Sequence, residues 1–210
     1  VGYPASSPWV TSVGGIALLN GVENEARVWN SSMLDPTDCS GGGGYISSLF
    51  PTPPYQQTLP LAAVPSMRGV PDISALGGFP GYLSYSALGW YGNGGTSYAA
   101  PLYAGAAASI RSALAAAGVP APRSFNDVLY EAARDPGTYA AVFNDITAGG
   151  NAIYSSSTCC SAISGYDLAS GLGELNASAL ADLLLPHAAT PTTPAAPVAQ
   201  AVTGTPSFTG

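Results

Sequence analysis

The sequence predicts an α/β domain. Short β-type runs at 9–13, 16–19 and 82–85 precede a long Ala-rich helical run at 97–117. Two further helical stretches follow at 126–134 and 176–184, and Gly or Pro punctuates the gaps between them. With 210 residues there is enough chain for one domain with a sizeable core.

Taken in order, residues 9–13 read as a strand that ends at Gly14-Gly15, and 16–19 as its continuation. Residues 30–66 are rich in loop formers, including Gly41 to Gly44 and several Pro. A strand at 82–85 is followed by Trp90-Tyr91 and a turn over 92–95. The helix at 97–117 is small-sided all round, which predicts burial on every face. Gly118 stops it and Pro120 follows. The next helix carries Asp127 near its N-terminus. After Leu185 the composition turns to Ala, Thr and Pro, so 1–185 reads as the folded part and 186–210 as a linker or tail. There is no internal repeat.

Only 8% of the residues are charged: five Arg, no Lys and twelve acids, for a net charge of −7 and a pI near 4.2. That balance excludes a nucleic-acid binder, which needs a basic patch. It suits work in acid, where protonated carboxylates repel one another little. No run of eighteen apolar residues is present, so no transmembrane helix is expected. The chain opens at Val1 without a Met or a signal-peptide pattern, and an upstream part is expected. Of the three cysteines, Cys39 can pair with Cys159 or Cys160 in an oxidising compartment. Adjacent cysteines lack the spacing of a zinc site.

The most specific segment is Gly94-Gly95-Thr96-Ser97-Tyr98-Ala99-Ala100-Pro101-Leu102. It sets a serine hydroxyl at the mouth of a helix, where free N–H groups and the helix dipole favour negative charge. That environment suits a nucleophile whose attack creates an oxyanion. Pro101 is expected in the first turn, where no hydrogen bond is lost.

Gly-Thr-Ser-x-x-x-Pro is the nucleophile motif shared by subtilisin-like and sedolisin-like peptidases. Subtilisins usually place His after that Pro, where this chain has Leu102. Pro4 to Gly15, the 25–29 stretch, the glycines 42–44 and Arg68-Gly69-Val70-Pro71-Asp72-Ile73-Ser74-Ala75 follow in the order seen in sedolisins. From Tyr3 to about Leu175 the chain resembles the C-terminal half of a sedolisin (serine-carboxyl peptidase) catalytic domain. Gly94 stands where many members have Ser. The resemblance implies a subtilisin-like parallel sheet flanked by helices. It also implies secretion, with a protein or peptide substrate, and an upstream half and propeptide as partners.

A serine needs a base. The one histidine, His187, lies in the tail, so no Ser–His pair is expected. The resemblance implies a glutamate base, an aspartate that orients it and an oxyanion-stabilising aspartate, all placed before the segment where this chain starts. A carboxylate base accounts for acid preference, because proton transfer works best with a pKa near the working pH. Asp72 reads as a structural hydrogen-bonding group. The implied activity is hydrolysis of peptide bonds through an acyl-enzyme on Ser97, as an endopeptidase or a tripeptidyl-peptidase. One rival is an inactive, peptide-binding or structural homologue. The other is an esterase, whose Gly-x-Ser-x-Gly elbow is absent because Ala99 follows two residues after Ser97.

Asn144-Asp145-Ile146 with its Gly-rich sequel, and Ile163-Ser164-Gly165-Tyr166-Asp167, resemble the family's calcium segments. Calcium takes six or more oxygens from carboxylates and carbonyls. By resemblance the ligands are the carboxylates of Asp145 and Asp167 and the carbonyls of Ile146, Ile163 and Gly165. The Cys159-Cys160 pair inserted between these arms has no role in that reading.

Overall fold

A computed structural model describes residues 1–19, 25–33, 35–60, 64–153 and 159–185. Strand β1 (Val13–Leu18) occupies the inner part of a five-stranded sheet. β2 (Ala26–Val28) pairs antiparallel on one side of it, and β5 (Ile73–Leu76) pairs parallel on the other. β9 (Glu174–Leu175) adds in parallel to β5, and β8 (Phe143–Asn144) closes the far edge antiparallel. β3 (Tyr45–Ile46) and β4 (Gly69–Val70) form a small antiparallel pair. β6 (Tyr82–Ser86) and β7 (Gly89–Asn93) form a hairpin. The helices are α1 (Thr96–Ala116), α2 (Phe125–Ala132), α3 (Pro136–Val142) and α4 (Ala177–Leu184). The expected α/β sheet with parallel strands and flanking helices is present.

The first strand differs from the expectation. Gly14 and Gly15 lie inside β1 rather than ending a strand, and Trp9 is 90% exposed in a turn. The glycines are there for close approach. A Cβ on Gly14 would stand 2.4 Å from Ser74 Oγ and 2.8 Å from Pro71 Cγ; one on Gly15 would meet Trp29 at 2.8 Å. The turn expected over 92–95 starts later, because β7 continues to Asn93 to complete the hairpin.

The Ala-rich helix is not buried on every face. In α1 the buried residues Ala99, Tyr103, Ile110 and Leu114 mark one stripe, and Leu102 on another side is half exposed. Small side chains alone do not report what covers a helix. Tyr103 ties the stripe to the sheet: its hydroxyl donates to Ser74 O at 2.8 Å and accepts from Leu175 N–H at 2.8 Å. The helix α3 has no counterpart in the expectation, since Asp135-Pro136-Gly137 reads as a turn. Its signal is the Asp135 cap, which accepts the Thr138 N–H, with Pro136 at the first helical position.

Behind the sheet lies a buried polar web. The Arg68 guanidinium grips the Asp72 carboxylate at 2.6 and 2.8 Å, with both side chains fully buried. Asp72 also accepts the Ser12 N–H at 2.7 Å and the Tyr130 hydroxyl at 2.9 Å. Gln56 donates to Tyr130, Tyr166 and the Gly69 carbonyl. Asp72 is the structural group the sequence suggested. Of the bridges open to Cys39, neither is formed. Cys159 and Cys160 pair with each other, while Cys39 is a free thiol exposed in the loop after Trp29. The tail at 186–210, with His187, lies outside the described residues.

Truncating one partner of a buried pair strands the other charge. Asp72→Ala is therefore expected to destabilise the fold by about 3–5 kcal/mol. Urea unfolding followed by circular dichroism, compared with the parent, measures it. A loss under 1 kcal/mol would show that the pair does not hold the core.

Candidate active site and metal loop

Ser97 is the second residue of α1 and is exposed. The loop before it is fixed from below. Gly95 caps the helix with φ of 105°, a conformation that favours glycine, and no side chain caps the first turn. Its N–H donates to Gly77 O at 2.5 Å, just past the end of β5. A Cβ on Gly94 would stand 2.6 Å from that same carbonyl. Ser97 thus sits beyond the C-terminal end of a parallel strand, the place where α/β sheets bind ligands.

No side chain caps the first turn of α1, where the Tyr98 N–H donates back to Gly95 O at 3.0 Å; amides left open at a helix start suit negative charge. Pro101 falls in the second turn, not the first. Lacking an N–H, it leaves the Ser97 carbonyl without its usual helical partner. Among the described residues the Ser97 hydroxyl has no hydrogen-bonded carboxylate or imidazole.

An open cleft of about 440 Å³ lies beside the Gly94–Gly95 turn. Its walls include Trp29, Asp38, Phe79 and Asn93. Sequence reasoning passed over this cleft because it joins three loops far apart in the chain.

The two carboxylates of the second site meet in one loop system. Asp145 accepts the Tyr139 hydroxyl and the Gly165 N–H, each at 2.9 Å. Asp167 is buried and accepts the N–H groups of Ile163, Ala169 and Ser170 at 2.7–2.9 Å. Burial pushes the Asp167 carboxyl up, and those backbone donors pull it back. Among the described residues no arginine pairs with either aspartate. Ile146 is buried, with its carbonyl near the Ser170 hydroxyl at 3.5 Å, whereas Ile163 is exposed. Two carboxylates without an arginine partner are the oxygen donors that a hard cation takes, and here both accept hydrogen bonds from N–H or hydroxyl groups. Among the described residues no cluster of three or more His, Cys, Asp or Glu gathers anywhere.

The fold and the serine at the helix mouth define a subtilisin-like α/β protein. Within that class the chain belongs to the sedolisin family. It is 34% identical over 197 residues to tripeptidyl-peptidase sed5 of Aspergillus fumigatus, covering 84% of this chain and 33% of that protein. Against kumamolisin from a Bacillus species it is 35% identical over 197 residues, covering 90% of this chain and 33% of that protein. Its structure matches Pseudomonas sedolisin, solved with two molecules of pseudo-iodotyrostatin, with a TM-score of 0.69 at 28% identity. That match covers 86% of this chain and 47% of the sedolisin chain. The chain spans about a third of the length of these curated relatives, which fits a C-terminal half. No family model matches it.

Because Tyr103 holds α1 against β5 and β9, Tyr103→Phe should strand the Ser74 carbonyl and the Leu175 N–H. The expected cost is about 1–3 kcal/mol in urea unfolding. Faster amide exchange at Leu175 is the local readout, and an unchanged rate there would contradict the role.

Proposed function

We propose that this chain is part of a serine-carboxyl peptidase that hydrolyses peptide bonds through an acyl-enzyme on Ser97. The observation that carries the reading is an exposed serine on an uncapped helix N-terminus, held past the end of a parallel strand, in a chain of this family. Ser97 Oγ adds to the scissile carbonyl while a base takes its proton, and the oxyanion forms against the first amides of α1. The amine then leaves with a proton, and water cleaves the ester to restore Ser97. The base and its orienting aspartate are expected from the part of the protein beyond this chain, as the family resemblance implies.

The peptidase is read as secreted, made with a propeptide and active in acid as an endopeptidase. The low charge and pI near 4.2 support work in acid. Among the described residues no helix is long and apolar enough to cross a membrane. In the full-length protein, Ser97→Ala should lower kcat/KM by about 10⁴-fold or more with an unchanged melting curve. Retained activity sinks the assignment. Cleavage of N-terminally blocked peptides is expected of an endopeptidase; release of tripeptides from free N-termini alone would replace that reading with a tripeptidyl-peptidase.

The second part of the reading is a calcium ion held by the Asp145 and Asp167 carboxylates with the carbonyls of Ile146, Ile163 and Gly165. The ion would supply charge compensation for the loop and no chemistry. A ligand bound by the native state alone adds about 2.7 kcal/mol when its free concentration is 100 times Kd. Chelation at neutral pH should therefore lower the Tm of the full-length protein. Asp167→Asn should start lower and respond less. A melting curve unmoved by chelator would make these aspartates ordinary turn residues.

A further inference from the structure

The cleft beside the Gly94–Gly95 turn, which leads into Ser97, contains two features that catalysis on the serine leaves unused. The first is Asp38. It is the one charged residue among the lining residues, and the run 73–110, which supplies most of the others, has no charged side chain. The loop that carries it is clamped at both ends. Asn30 bridges to Gly41, and Ser31 N–H donates to Ser40 O at 2.9 Å. Asp38 itself accepts the Ser40 N–H at 2.8 Å. No arginine among the described residues pairs with it. The Ser40 hydroxyl and N–H hold its carboxyl below the usual range, so it stays anionic in moderate acid.

The second feature is Asn93, four residues before Ser97. Its side-chain nitrogen is buried and has no hydrogen-bond partner. An amide donor left buried and unmade is costly, so such groups usually await an acceptor. The other walls of the same cleft include Trp29, Phe79, Pro80 and glycine backbone, apolar surface that suits a long aliphatic stem. The indole of Trp29 is fixed by its N–H bond to the Ser31 hydroxyl at 2.9 Å, and a cation stacks well on such a face.

We propose that this cleft is a substrate subsite for a basic side chain, Lys or Arg, with Asp38 pairing its charge and the Asn93 amide donating to a substrate main-chain carbonyl. The proposal rests on the peptidase reading above and names the substrate class of that site. An anionic carboxylate selects for a cation by a charge-assisted hydrogen bond and against an acid by repulsion. The main-chain contact through Asn93 is blind to sequence, so the two residues separate in their effects.

The test uses the full-length protein and three peptide sets that differ only in carrying Arg, Leu or Glu at each position near the scissile bond. At one such position kcat/KM is expected to favour Arg over Glu by about tenfold or more. Asp38→Asn should bring that ratio close to one, and Asp38→Lys should invert it. Asn93→Ala should lower kcat/KM for all three sets alike and keep the ratio. Binding of the same peptides to the Ser97→Ala protein, read by fluorescence anisotropy, provides a second measure. If no peptide is cleaved, yet Arg peptides bind preferentially and lose that preference in Ser97→Ala/Asp38→Asn, the subsite stands and the hydrolytic reading falls. Equal handling of Arg and Glu peptides, or an Arg preference that Asp38→Asn leaves intact, overturns the proposal.

Discussion

The Asp72 carboxylate is the point on which the rest of this structure hangs. It receives the Arg68 guanidinium, the Tyr130 hydroxyl and the Ser12 N–H within 2.9 Å. Its own main chain bonds on both sides, with Asp72 N–H to Ser12 O and Leu172 N–H to Asp72 O. One residue therefore joins the entry to β1, the start of β5, helix α2 and the loop before β9. Burying two charges is expensive unless geometry is good and further donors satisfy the remaining lone pairs. Here the carboxylate's lone pairs are satisfied while the buried Arg68 Nε has no partner, and the Tyr55 ring stands 5.7 Å from the guanidinium carbon. The web extends through Asn126, which donates to the Tyr55 hydroxyl and the Val10 carbonyl. In a chain with 8% charged residues, this pair uses scarce charge for register rather than for solubility.

That register is what aims Ser97. β5 ends at Leu76, and Gly77 immediately beyond it accepts the Gly95 N–H. From there the chain turns into α1 with the serine at its mouth. Tyr103, two turns on, locks the same helix to β5 and β9. The Ser97 hydroxyl is thereby placed by strand ends and a helix, not by a free loop. Positioning of this kind holds a reacting group in place without ordering cost at the moment of reaction. The Asp145 and Asp167 loop lies between β8 and β9 in sequence, and among the described residues it shares no hydrogen bond with the Ser97 turn.

Much of this was legible in the sequence where the signal is local. A serine or asparagine cap, a run of alanines and a Gly-Thr-Ser-x-x-x-Pro string act over a few residues, and α1, α2 and α4 lie within a residue or two of their expected bounds. The Asp145 and Asp167 segments were readable only by resemblance, since Asp in a Gly-rich turn is common. Gly14-Gly15 misled because glycine signals a turn locally, while here it marks contact with Pro71, Ser74 and Trp29. The two-residue strands β8 and β9 carry too little pattern to announce themselves.

By itself the sequence determined the α/β class, the serine at a helix start and a sparse, net negative charge, because these follow from composition and short-range backbone preference. Only the tertiary structure decided which face of α1 is buried, that Asp72 pairs with Arg68, and that Trp29, Asp38 and Asn93 share one cleft with the turn before Ser97. Each of these depends on pairing between segments tens of residues apart. Such contacts are selected by burial and hydrogen-bond satisfaction across the whole chain, and no window of local sequence contains them.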